Sequence, residues 1–280
     1  MADAFGLEEV RRALAEDRAS EDVSTRLLGP AADSPGFARF IAEGRLVVAG
    51  VPLIATSFQA LDPKSEISAA LPEGAWALPG STIATARGTA GALLAGERVA
   101  LNFLQHLSGI ATVTRQAVDA VAGTAAKITH TRKTTPGLRA LELYAVRTGG
   151  GVENRVSLAD AVMWKDNHWE LLRVHKRSLA GVLKSAPAGI PVIVEVESEE
   201  QLDTALAAGV RHILVDNQTP ERLAAWARRA GAGVTIQASG GITPQTARAY
   251  ADAGASLIAI GMLTHSAPAA AIRCDISGPA

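Results

Sequence analysis

Arg132, Lys133, Arg155, Lys165, Glu195 and Asp216 stand at or just beyond the ends of short apolar runs in the second half of the sequence. Two small-residue turns, Ser239-Gly240-Gly241 and Gly261-Met262-Leu263-Thr264, close the last two runs. Four cations opposed by two carboxylates suit a polyanionic, metal-bearing substrate. Guanidinium groups pair carboxylates and phosphates in a two-point fork, whereas lysine neutralises them as a point charge. Magnesium favours substrate phosphates with one or two carboxylates, one of the roles open to Glu195 and Asp216. Turns of small residues let backbone N–H groups approach phosphate oxygens, and a helix expected from Pro244 would place its dipole behind Ser239, Gly240 and Gly241.

These residues converge only if the chain repeats one unit: an apolar strand, a polar residue at its C-terminal end, then a helix. The pattern predicts strands over 126–132, 161–166, 192–197, 212–216, 234–239 and 257–261, with helices over 201–208, 220–230 and 244–253 among them. Side chains alternate faces along a strand. Ile128, His130 and Arg132 are therefore expected on one face, as are Glu195 with Glu197 and Gln237 with Ser239, with Glu197 far enough out to meet water. Alternation of this kind makes a parallel sheet closing toward a barrel, whose site lies at the strands' C-terminal ends.

The first third reads differently. Leu7, Val10 and Leu14 stand at helical spacing among acids and arginines, so 7–17 is an amphipathic helix. Short runs broken by Gly50, Pro52, Pro63, Pro72 and Pro79 predict a small antiparallel sheet over 37–88, and 92–121 predicts long helices despite Gly96 and Gly109. The expected division is 1–110, an α/β module with connecting helices; 111–270, the barrel; and 271–280, returning to the first module. With 48% hydrophobic but only 4% aromatic residues, the chain suits buried strands and alanine-faced helices better than a β-sandwich. A net charge of −1 gives no global field for nucleic acid or an anionic membrane. Cys274 is the only cysteine, so no intrachain disulfide framework exists, and a reducing cytoplasm is expected.

One combination is specific. Residues 130–139, His-Thr-Arg-Lys-Thr-Thr-Pro-Gly-Leu-Arg, are followed by Tyr144-Ala145-Val146 with Gly149-Gly150-Gly151, and by Lys165-Asp166-Asn167-His168. Together they resemble the signature of the quinolinate phosphoribosyltransferase (carboxylating nicotinate-nucleotide pyrophosphorylase) family. The likeness extends to Asn102-Phe103-Leu104-Gln105 upstream and to Val215-Asp216-Asn217, Ala238-Ser239-Gly240-Gly241-Ile242 and Leu263-Thr264-His265-Ser266 downstream.

The resemblance implies an N-terminal open-faced α/β sandwich, a C-terminal open TIM-like α/β barrel, and a homodimer, open to higher assembly, that shares its active site. Arg98 would reach across from the neighbouring chain. It also implies phosphoribosyl transfer from phosphoribosyl pyrophosphate (PRPP) to quinolinate with loss of CO2, giving nicotinate mononucleotide for NAD biosynthesis, with Mg2+ and without nucleic acid or membrane partners. On that reading Lys133, Lys165, Glu195 and Asp216 are catalytic. Arg98, His130, Thr131, Arg132, Asn154, Arg155 and Gln237 hold the pyridine dicarboxylate, and Ser239, Gly240, Gly241, Gly261 and Met262 hold phosphate. His168 and His265 read as structural.

Three positions depart from the family pattern, which often has Asp at His130, usually His at Asn154 and usually Glu at Gln237. Two consequences stand open: an acceptor pocket retuned for a different pyridine or aromatic carboxylate, or an imidazole at His130 replacing the one absent at Asn154. A catalytically inactive ligand-binding homologue is a third reading, opposed by the intact Arg132, Lys133, Lys165, Glu195 and Asp216.

Overall fold

The computed structural model describes residues 5–278; residues 1–4 and 279–280, at the outer ends of the first and last expected segments, lie outside the described residues. In chain order the strands are β1 (Pro35–Ala42), β2 (Leu46–Val47), β3 (Glu66–Ala69), β4 (Trp76–Ala77), β5 (Thr82–Thr89), β6 (Lys127–Thr129), β7 (Val162–Trp164), β8 (Val192–Val196), β9 (His212–Asp216), β10 (Thr235–Ser239), β11 (Leu257–Ala259) and β12 (Ile272–Ser277).

One compact unit comprises residues 5–115, 135–150 and 267–278. Its main sheet has the order β12-β1-β5-β3, antiparallel at every seam. Ala38, Phe40 and Ala42 of β1 alternate into a core with Ile54 and Phe58 of helix Val51–Gln59 and Leu93 and Leu104 of helix Ala90–Ala120. The opposite face carries exposed Arg39 and the Arg87 guanidinium over the Phe37 ring, so the sandwich is open-faced.

The expected long helices are a single one, Ala90–Ala120. Gly96 and Gly109 sit inside it because neighbours approach too closely for a side chain. A Cβ on Gly96 would lie 2.9 Å from the Phe58 ring, and one on Gly109 would lie 2.1 Å from the Pro268 carbonyl oxygen. The C-terminal segment is fastened along the same helix. Ala270 N donates to Gln105 O at 2.9 Å, and Gln105 Nε2 donates to Ile272 O at 2.7 Å, which delivers β12 to the edge of β1.

The compact units interleave across the boundary expected near residue 110. Residues 135–150 belong to the first unit although barrel residues flank them. Their helix, Arg139–Thr148, is tied there by polar contacts: the buried Glu142 carboxylate meets His106 Nε2 at 2.9 Å, and Arg115 Nε donates to Gly149 O at 2.9 Å.

The second unit comprises residues 116–134 and 151–266. Its six parallel strands run β6-β11-β10-β9-β8-β7. Read from β7, each strand pairs with the next in sequence and β11 pairs with β6, so only the β6/β7 seam of a closed ring is missing. That is the expected open barrel. Helix starts follow local chemistry: Ser198 Oγ accepts from Gln201 N at 3.2 Å, and Thr219 caps Pro220–Ala230 with proline in its first turn.

Several expected elements are shorter than their patterns, among them β7, which spans Val162–Trp164 instead of 161–166, and β11, which spans Leu257–Ala259 instead of 257–261. β6 ends at Thr129 rather than 132. The helix expected from Pro244 begins at Ala247, because the Thr243 and Thr246 hydroxyls accept from each other's backbone N–H groups, at 3.3 and 3.0 Å, and hold 243–246 as a turn.

Candidate active site at the barrel mouth

The C-terminal strand ends surround a cavity of roughly 320 Å³. Thr131, Arg132, Lys133, Asn154, Arg155, Lys165, Glu195, Asp216, Gln237 and Ser239 line it, and so do apolar Met163, Leu214 and Ala259. Ten of the sequence-predicted residues thus come together from six segments. Register explains why. Glu195 lies beside Leu214, Leu214 beside Gln237, and Asp216 beside Ser239, so alternation sends all of them inward. Glu197, one residue past β8, is exposed.

Charge is arranged unevenly around this cavity. The Lys165 ammonium is paired with the Glu195 carboxylate. Burial pushes the Glu195 carboxyl above its ordinary value; Lys165 opposes this, and the negative charges of Asp216 and Asp166 reinforce it. Arg155 shifts the other way, its pKa lowered first by burial and then by the like charge of Arg132. Arg132 Nε is buried and, among the described residues, has no hydrogen-bond partner. Two guanidinium groups that repel each other, one with an unmet donor, form a site that gains from an incoming anion.

Backbone contacts fix the cations. His168 Nδ1 accepts from Lys165 N at 3.0 Å, which makes it the structural histidine expected from the sequence. Thr264 Oγ1 donates to Lys133 O at 2.8 Å, and Lys133 N donates to Thr131 Oγ1 at 3.2 Å. Trp169 Nε1 donates to Glu195 O at 2.8 Å.

Several predicted residues lie elsewhere. His130 does not line the cavity: it is 1% exposed, its Nδ1 meets Thr131 O at 3.3 Å, and its Nε2 accepts from Asn154 N at 3.1 Å. The shared face predicted for Ile128, His130 and Arg132 fails because β6 ends before His130. Asn154 reaches the cavity wall, but its side chain is spent on backbone, donating to His130 O at 3.3 Å and accepting from Arg155 N at 2.8 Å. Arg98 is exposed on the first unit, where it lines a separate hollow of roughly 700 Å³ with Arg12, Asn102 and His106.

The glycines of the two late turns do not line the cavity either, nor does Met262. Gly240 has φ +95°, and a Cβ there would sit 2.2 Å from Asn217 Oδ1 and 2.6 Å from Asn217 N. Asn217 itself adopts φ +53°. Gly240 is thus required for close packing of two strand-end loops. A Cβ on Gly261 would meet His265 Nε2 at 3.1 Å. The apolar floor residues and His212, which holds Gln237, were not singled out from the sequence, although a period of two along 212–216 contains the signal.

A six-stranded α/β barrel whose mouth gathers four cations and two carboxylates over an apolar floor is an anion-handling barrel of the enzymatic type. Residues 22–108 match the family model described as quinolinate phosphoribosyl transferase, N-terminal domain, and residues 110–275 match its C-terminal domain. This chain belongs to the quinolinate phosphoribosyltransferase family. It is 40% identical over 240 residues to a probable carboxylating nicotinate-nucleotide pyrophosphorylase of Bacillus subtilis, covering 86% of this chain and 83% of that one. It is 37% identical over 240 residues to the human carboxylating nicotinate-nucleotide pyrophosphorylase, covering 84% and 80%. The crystal structure of NadC from Streptococcus pyogenes superposes with a TM-score of 0.91 at 32% identity, covering 100% of this chain and 99% of that one.

Proposed function

We propose that this protein transfers the phosphoribosyl group of PRPP to quinolinate with decarboxylation, in NAD biosynthesis. The observation that carries this is the convergence of Arg132, Lys133, Arg155 and Lys165 with Glu195 and Asp216 around one partly apolar cavity. Arg132 and Arg155 take the carboxylates of the pyridine in forked pairs, and the ring lies on Met163, Leu214 and Ala259. The ring nitrogen's lone pair forms a bond to C1 of the sugar as the C1–oxygen bond to pyrophosphate breaks, with the electron pair leaving on pyrophosphate. The carboxylate beside the nitrogen departs as CO2, and the electrons it leaves on the ring carbon take up a proton. Lys133 and Lys165 balance the leaving charge, while Glu195 and Asp216 hold ribose hydroxyls and stabilise the positive sugar carbon.

Among the described residues no group of three or more His, Cys, Asp or Glu side chains is placed to hold a metal ion. Glu195 and Asp216 therefore fit Mg2+ only in its substrate-bridged mode, with phosphates completing the shell. When bound, the ion supplies charge neutralisation on pyrophosphate. A homodimer in which a neighbour's Arg98 completes the pocket, and a cytoplasmic setting, belong to the same reading. Ser239 and the turns Gly240-Gly241 and Gly261-Met262 border the phosphate end of the site in it.

Nicotinate mononucleotide formed by the purified protein from quinolinate, PRPP and Mg2+ tests the reading. No product at high enzyme concentration overturns it. Because Asn154 and Gln237 present no imidazole or carboxylate to the cavity, parallel reactions with other pyridine and aromatic carboxylates decide whether the acceptor is a different one.

A further inference from the structure

His212 opens β9 and Gln237 is the central residue of β10. Register sets His212 beside Thr235, Leu214 beside Gln237 and Asp216 beside Ser239. By alternation all six face the barrel interior, in layers. Asp216 and Ser239 form the mouth, Leu214 and Gln237 the floor, and His212 and Thr235 the layer beneath. Gln237 lines the cavity whereas His212 does not.

From below, His212 Nε2 meets Gln237 Oε1 at 2.8 Å. An amide oxygen only accepts, so the imidazole carries its proton on Nε2 and donates it. Burial holds the ring toward its neutral form, with the Gln237 bond opposing. Gln237 is 1% exposed, and among the described residues its side chain makes no other hydrogen bond with protein. With the oxygen anchored beneath, the NH2 group is left for the cavity, where Met163, Leu214 and Ala259 supply no donor.

We propose that His212 is a positioning residue: it fixes the Gln237 amide with its NH2 group turned into the cavity, giving the apolar floor one neutral donor for a carboxylate of the ring-bearing substrate. This rests on the activity proposed above. Without His212 the amide can turn over at little steric cost and present its oxygen to the anion. A carboxylate is thereby selected at the floor by a donor that brings no charge, while the charged forks stay at the mouth.

The test uses the full-length protein with quinolinate, PRPP and Mg2+. His212→Gln places an N–H near the Nε2 position, whereas His212→Asn is too short to reach. His212→Asn is expected to raise KM for quinolinate about tenfold, the size of a lost hydrogen bond to a charged group. His212→Gln should stay within about threefold of wild type, with kcat and KM for PRPP nearly unchanged in both, as for loss of uniform binding. In a Gln237→Met background, His212→Asn should add less than about twofold, because its effect passes through the amide. An unmoved KM in His212→Asn, equal effects of Asn and Gln, or an undiminished effect in the Gln237→Met background overturns the pair. Absence of wild-type turnover instead overturns the proposed activity and the substrate named here with it.

Discussion

Lys165 and Glu195 form an ion pair between neighbouring strands in which the lysine side chain remains 40% exposed and the glutamate only 7%. The asymmetry makes the pair expensive for the carboxylate alone. Its raised pKa means that the folded state favours the protonated form. The associated stability is fully present below the ordinary carboxylate range and is lost as pH rises through the folded-state value.

Glu195→Gln should therefore raise Tm at pH 7 while reducing kcat by at least about a hundredfold. The gain in Tm should shrink as pH falls through the raised folded-state value and be gone below the ordinary glutamate value of 4.5. Calorimetric melts of both proteins between pH 4 and pH 8 (about the range in which carboxylate effects dominate) check it. An equal or lower Tm for the variant at pH 7 contradicts the assignment.

Arg132 and Arg155 repel each other across the cavity, so a dicarboxylate that pairs with both should bind the folded state and stabilise it by mass action. Quinolinate at about a hundred times its Kd is expected to stabilise the wild type by about 2.7 kcal/mol. Arg132→Lys loses the fork and should lower kcat/KM by roughly two orders of magnitude, whereas Arg132→Met should raise the Tm of the ligand-free protein and abolish the quinolinate shift. Thermal shift with and without quinolinate reads all three.

Gly240 and Gly241 separate steric from conformational demand. Both have positive φ, but a side chain at Gly240 would collide with Asn217 whereas nothing lies within 4 Å of the corresponding point at Gly241. Gly241→Ala should cost about 1–2 kcal/mol, the left-handed penalty alone. Gly240→Ala should cost at least about twice that, because Asn217 backbone must shift. Urea titration gives both numbers, and equal losses would show that the two loops are not packed as described.

His130 supports the wall of the site from behind it. His130→Gln keeps an acceptor near the Nε2 position for Asn154 N and should retain activity. His130→Leu leaves that N–H unpaired, an expected loss of about 1–3 kcal/mol, and should raise KM for quinolinate through the loosened Arg155. If His130→Gln instead loses kcat with its melting temperature preserved, the imidazole itself touches substrate.

Much of the site was legible in the sequence because strand alternation is a two-residue rule and the cations stand at strand ends. Lys165, Glu195, Asp216, Gln237 and Ser239 all line the cavity on that basis. His130 escaped because the rule holds only while the strand lasts, and β6 stops at Thr129. The helix after Gly241 starts late because two threonine hydroxyls satisfy the backbone first, a local competition that proline alone does not reveal. The contact of His212 with Gln237 spans 25 residues and joins different layers, so only the inter-strand register exposes it. Residues 135–150 looked like barrel because they follow β6 directly, and their attachment elsewhere depends on Glu142, a buried acid invisible to apolar patterning.

That detour of residues 135–150 gives the chain an interleaved rather than modular inheritance. No single cut yields two self-sufficient fragments, since a truncation after residue 115 deprives the sandwich of its Arg139–Thr148 helix and of β12 at once. A chimera with a relative that exchanged only the C-terminal half would import part of a foreign sandwich along with the barrel. Recombination would preserve both cores only by exchanging the barrel's two separate segments together.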